Sequence, residues 1–205
     1  PEEGHLLERY RTDFVKAGAE LDDTQQERLR AINAELAELL SAFGQRLVRA
    51  GNDSALVTHD PADLDGLGEE RIASLEQDGR FVLPLLNTTV QPALAQLTDR
   101  ATREKLYRLS TERAPENLEL AVRIAELRAE HAGLLGYADH AAYKVADQTA
   151  KTVDAVEERL DGLVGPARRN VEREAAVLAE QAGHEIEPWD WAYYAEQVRN
   201  CLLYT

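Results

Sequence analysis

"TQQERLRAINAELAELLSAFGQRLVR", residues 24–49, decides the fold class. Its apolar positions Leu29, Ile32, Leu36, Leu39, Leu40, Phe43, Leu47 and Val48 recur three and four residues apart, the spacing that lines one face of an α-helix. A lone helix of this kind frays in water, so the stripe requires neighbours to pack against. Asp22, Asp23 and Thr24 are candidate caps, and Thr24 and Glu27 have capping-box spacing. Upstream, a helix from about Glu2 to Ala17 ends near Gly18. Downstream, "RAGNDSALVTHDPADLDGLGEE" (residues 49–70) is rich in Gly, Asp and Asn and stops the helix.

Inside that break, residues 55–59 read as a short strand, and "RFVLPLL" (residues 80–86) reads as a second. They are expected to pair as a small two-stranded β element, with a short helix over 69–77 between them. Pro84 predicts an edge or bent strand, because proline has no N–H for a ladder. Beyond Pro92 the chain reads as helix almost throughout. Leu94, Leu97, Ala101, Leu106 and Leu109 form one segment, interrupted near Pro115. Leu118, Ala121, Val122, Ala125, Ala132 and Leu135 mark the next, with Gly136 as its C-terminal cap and Tyr137 covering the end. A short helix over 138–146 and a longer one from Thr152 follow. Pro166 is expected to kink or split the longer one, and "GHEIEPWD" (183–190) breaks the chain before a last helix. Asp190 is the expected cap of that helix, with Trp191 and Tyr194 on one face and Tyr193 exposed elsewhere. The fold class is therefore mostly α, a multi-helix array with a small two-stranded β element.

Composition narrows function. The chain has 205 residues, 44% hydrophobic and 30% charged, enough to bury a core. With 38 acidic against 23 basic residues the net charge is −15, which repels a phosphate backbone and excludes nucleic acid as a partner. No run approaches the length of a membrane helix, and "PEEGHLLERY" is not a secretory leader, so a soluble, cytoplasmic chain is expected with no membrane partner. Methionine is absent, even at position 1, so Pro1 is expected to be either a processed start or the middle of something longer.

Local chemistry yields no catalytic, cofactor-binding or metal-binding residue. His184-Glu185 opens like the H-E-x-x-H zinc motif, but Pro188 stands where the second histidine belongs and forbids the helix. His131 and His140 lack a third ligand and read as surface or capping residues. The pairs Asp22-Asp23 and Glu157-Glu158 read as caps or solvent-facing acids. Asn52-Asp53-Ser54 and Asn87-Thr88-Thr89 match the glycosylation pattern, which is frequent by chance. Nothing in the sequence marks an activating base for Cys201, and no glycine-rich phosphate loop is present.

Three ordered segments carry a resemblance. In "IAELRAEHAGLLGYADHAAYKVADQTAKTVDAVEERL" (124–160) the marks are Leu127-Arg128, Ala132, Leu134-Leu135-Gly136-Tyr137, Ala142-Tyr143 and Ala150-Lys151-Thr152. "RFVLPLLNTTVQPALAQLTDRATREKLYRLSTERA" (80–114) precedes it and "PWDWAYYAEQVR" (188–199) follows. Together they resemble the thimet oligopeptidase and neurolysin-like family of zinc metallopeptidases, and "LPLLNTTVQPAL" favours its peptidyl-dipeptidase branch. Thr149 stands where that family commonly has methionine.

The resemblance implies part of a larger two-lobed helical enzyme that hydrolyses short peptides and releases C-terminal dipeptides. Its zinc is held by an H-E-x-x-H helix and a downstream glutamate outside these residues, so this chain is expected to be inactive and zinc-free alone. Residues 1–200 are expected to be a helical non-catalytic portion truncated at both ends. Cys201 to Thr205 match a translated transposon sequencing adapter and are expected to be an artefact. The alternative is a self-contained, non-enzymatic helical interaction domain.

Overall fold

The computed structural model describes residues 2–203, so the expectations for Pro1, Tyr204 and Thr205 lie outside the described residues. The chain is mostly α: α1 (Glu2–Lys16), α2 (Asp23–Asp53), α3 (Glu69–Ser74), α4 (Asn87–Gln96), α5 (Arg100–Thr111), α6 (Asn117–Leu134), α7 (His140–Val145), α8 (Val153–Ala182) and α9 (Trp191–Leu203). The strands are β1 (Ala55–Thr58), β2 (Glu76–Gln77) and β3 (Arg80–Pro84). They group into two compact units, one of residues up to Gln45 with Glu116–Pro166, the other of Arg46–Pro115 with Ala167 onward.

In the first unit α2 starts at a capping box two residues earlier than Thr24 and Glu27 predict. Asp22 Oδ1 accepts from the Gln25 N–H at 2.8 Å, and the Asp22 N–H donates to the Gln25 side-chain oxygen at 3.2 Å. Of the α2 stripe only Leu29 and Ile32 are buried, while Leu40 stays 47% exposed. Gly18 turns the chain between α1 and α2 with φ 93°, against the Leu29 side chain.

α6 packs a different face from the one predicted. Ile124 and Leu127 are buried together with Ala132 of the expected stripe, whereas Leu118 and Val122 are exposed. The helix is apolar on both faces, and periodicity alone does not choose between them. Bidentate ion pairs join α2 to α6, with Arg28 on Glu130 at 2.6 Å and Arg123 on Glu35 at 2.7 and 3.1 Å. Gly136 ends α6 with φ 79°, and the Tyr137 N–H returns to the Ala132 carbonyl at 3.0 Å.

The second unit is built on a three-stranded antiparallel sheet, order β1-β3-β2. The third strand is a correction to the two expected, and the helix of 69–77 is correspondingly shorter. Asp78 (φ 51°) and Gly79 (φ 75°) both take the left-handed conformation, the signature of a tight hairpin that folds β2 onto β3. β3 is thus central rather than an edge, and Pro84 is tolerated as its last residue. Leu56 and Leu83 lie opposite each other across β1 and β3 and start a core with Leu85, Val90, Ala93, Leu97 and Leu106. The helical run beyond Pro92 is cut at residues 97–99, because the Asp99 side chain accepts from the Thr102 N–H at 2.6 Å and starts α5 anew.

α8 runs through Pro166 without a break. None of the described helices is long and apolar enough to cross a membrane.

Candidate functional site

The most deeply buried charge lies in the second unit, at the loop before α9. Asp190 has no exposure, and its carboxylate takes two arginines from successive turns of α5. Arg100 Nε donates to both oxygens at 3.1 Å and Nη2 to Oδ2 at 2.8 Å, while Arg103 Nη2 donates to Oδ1 at 3.0 Å. The Glu187 N–H adds a bond at 3.2 Å. Asp190 is thus not the simple helix cap expected, since its side-chain oxygens are spent on these groups.

Arg103, 1% exposed, also donates from Nη1 to the Leu97 and Thr98 carbonyls at 2.9 and 3.0 Å, which closes the α4–α5 break. Its Nε is buried with no hydrogen-bond partner. Tyr193 is half-buried, not exposed: the Arg103 guanidinium sits 4.3 Å over its ring. Arg108 lies 5.2 Å over Trp189, whose ring meets Tyr107 at 6.2 Å. Burial alone would raise the Asp190 pKa, but the Arg100 and Arg103 hydrogen bonds outweigh it and hold the carboxyl below its usual value. A carboxylate so held stays ionised near neutrality and is no proton donor. The arrangement ties the loop before α9 to α5.

A second cluster lies in the first unit. Tyr143 of α7 takes the edges of His131 at 4.9 Å and Tyr137 at 5.4 Å, with His140 at 6.0 Å. Lys16 of α1 lies 4.6 Å over the Tyr143 ring and pairs with Asp147 at 2.9 Å, which holds the Asp147 carboxyl below its usual pKa. His131 and His140 are half-buried rather than on the surface, and both Nδ1 atoms are buried without a partner. Burial first, then the Lys144 cation, holds the His131 pKa down; burial, Arg128 and Lys144 do the same for His140. Two imidazoles without a third ligand do not fit a zinc site, and among the described residues no group of three or more His, Cys, Asp and Glu gathers that could hold a metal.

His184 occupies the loop after α8, as its sequence predicts, with Nδ1 2.8 Å from the Glu185 carbonyl and Nε2 3.3 Å from the Tyr194 hydroxyl. The carboxylate pairs do not converge on a shared site: Asp22 caps α2, and Glu157 and Glu158 are exposed. Sequence reasoning missed Arg100, Arg103 and Lys16. The one signal for the arginines was their i, i+3 spacing beside Asp99, which places both on one helix face.

The ionic knot falls within the stretch that matches known proteins. The family model described as Peptidase family M3 matches residues 93–203. The chain is 41% identical to a dipeptidyl carboxypeptidase of Escherichia coli (strain K12) over 95% of its own length and 31% of that protein's. It is 42% identical to the dipeptidyl carboxypeptidase of Salmonella typhimurium, over 91% of this chain and 30% of that one. Oligopeptidase A of Escherichia coli (strain K12) is 28% identical over 93% of this chain and 31% of that protein. The chain therefore spans about a third of the length of these curated relatives.

Proposed function

Because the chain belongs to peptidase family M3, we propose that it is a helical, non-catalytic portion of a zinc-dependent peptidyl-dipeptidase that works in the cytoplasm and releases dipeptides from the C-termini of short peptides. The observation that carries this reading is the margin in identity of dipeptidyl carboxypeptidase over oligopeptidase A across nearly the whole chain. The donor sets present, two histidines around Tyr143 and a fully paired Asp190, support a scaffold role rather than a metal-binding one. In this reading the zinc belongs to residues outside this third of the enzyme. Residues 201–205 are joined adapter, an assignment that genomic reads continuing through Leu202 and Tyr204 would overturn.

The test is to express the full reading frame beside the 205-residue chain and measure zinc content and dipeptide release from a short N-blocked peptide. The full product is expected to hold one zinc and release dipeptides, and the short chain to do neither. Stoichiometric zinc on the short chain would refute its non-catalytic role. A full product without zinc or release would leave the helical interaction domain as the reading, and export of the full product would refute the location.

A further inference from the structure

In the first unit, α2 and α6 leave an open groove of about 490 Å³ between Leu40 and Phe43 on one side and Ala121, Ile124 and Ala125 on the other. Beside it Leu118 is 71% exposed and Val122 54%, a face of α6 that nothing among the described residues covers. Apolar surface continuous with a groove of this kind marks a binding surface. The two alanines, four residues apart, form a shallow ridge that admits side chains from another helix.

The groove has a charged end. Arg128 lies one turn beyond Ala125 and makes no ion pair among the described residues, and His140 beside it carries the buried, unpartnered Nδ1. The Arg128 guanidinium, beside the His140 ring at the same end of the groove, complements a carboxylate.

We propose that this groove seats an apolar helix of the same polypeptide, drawn from the two thirds of the family's length that lie outside this chain, with an acidic side chain placed at Arg128 and His140. The inference rests on the parent enzyme proposed above. Two observations choose this occupant: the relatives are about three times longer than the chain, and the chain's net charge of −15 disfavours pairing with a second copy of itself.

The test uses Ala125→Cys, with Cys201→Ser added in the short chain, and maleimide modification of the peptide carrying residue 125 followed by mass spectrometry in the short chain and in the full product. Labelling is expected to slow by roughly tenfold or more in the full product, and Arg128→Glu there is expected to restore much of the rate. Equal rates in both proteins overturn the proposal, as does slow labelling of the short chain accompanied by a doubled mass in light scattering, which identifies a second copy. Unchanged protection in the Arg128→Glu product overturns the acidic contact. If circular dichroism shows that Ala125→Cys does not fold, Val122→Cys on the same face replaces it. Zinc and dipeptide release in a product whose groove labels freely would sink this inference alone. A reading frame that stops here would sink both.

Discussion

Asp190 draws two arginines into one buried ion cluster, and the consequence of removing it follows from what remains. Asp190→Asn leaves Arg103, 1% exposed, without its counter-charge, a situation that costs about 3–5 kcal/mol. Urea unfolding followed by circular dichroism at pH 7 should show that loss, and a change within error would mean the cluster is dispensable. The sign with pH follows from the lowered carboxyl pKa: the contribution is complete above the unfolded value of about 3.9 and disappears as pH falls through the folded one. His131 and His140 act in a higher window. Their folded pKa values are depressed, so the unfolded chain binds more protons, and the stability they contribute is complete above about 6.5 and declines as the pH drops below it. Stability measured at pH 7 and pH 5.5 should therefore fall in the wild-type chain and fall less in His131→Gln/His140→Gln; identical slopes would refute the assignment. None of these partners was legible in the sequence. Arg100 and Arg103 are 90 and 87 residues from Asp190, and no local spacing encodes a pairing across that separation. What the sequence did show was local: His184 in a loop, because Pro188 forbids the helix, and Gly136 at the end of α6.

Elements depend on backbone geometry as much as on side chains, and two glycines separate the cases. Gly66 has φ 96°, and a Cβ there would stand 2.0 Å from the Gln96 carbonyl oxygen, where residues 65–66 meet the α4–α5 turn. Thr98 holds that approach, donating from its N–H to the Asp65 carbonyl at 3.0 Å and from its hydroxyl to Asp65 Oδ2 at 2.8 Å. Gly66→Ala should cost about 2 kcal/mol or more from strained backbone and displaced chain. Gly133 lies inside α6 with open space around the Cβ position, so Gly133→Ala should stabilise by about 0.5–1 kcal/mol. Opposite shifts in the denaturation midpoint are the expected pair, and a shared sign would contradict the geometry. Helix existence was legible at this scale because the apolar spacing is strong and the glycine stops are unambiguous. The packed face of α6 was not, since Leu118 and Val122 repeat as regularly as Ile124 and Leu127. The third strand escaped because β2 is two residues long, too short to show alternation, and its only mark was Asp78-Gly79.

At the scale of the whole chain, burial is uneven. The stripe of α8 at Val153, Val156, Leu160, Val164, Ala167, Val171, Ala175 and Leu178 keeps helical spacing throughout, yet only Leu178 is buried, and Leu160, Val164 and Val171 are more than half exposed. On α1, Leu7 and Phe14 are 72% and 66% exposed. Helices with so little packing derive little stability from tertiary structure and exchange their amides quickly. Burial concentrates instead in the sheet core of the second unit, so the two units should differ in stability and melt as separate transitions, with calorimetric enthalpy exceeding the van't Hoff value. The variants assign the transitions: Asp190→Asn should lower the one belonging to the second unit, and acidification from pH 7 to 5.5 should lower the one belonging to the first. Differential scanning calorimetry of the 205-residue chain decides this. One sharp transition at high temperature, moved equally by both changes, would mean that the chain is a complete cooperative domain. That result would remove the physical reason for treating its open helical faces as surfaces that a longer polypeptide covers.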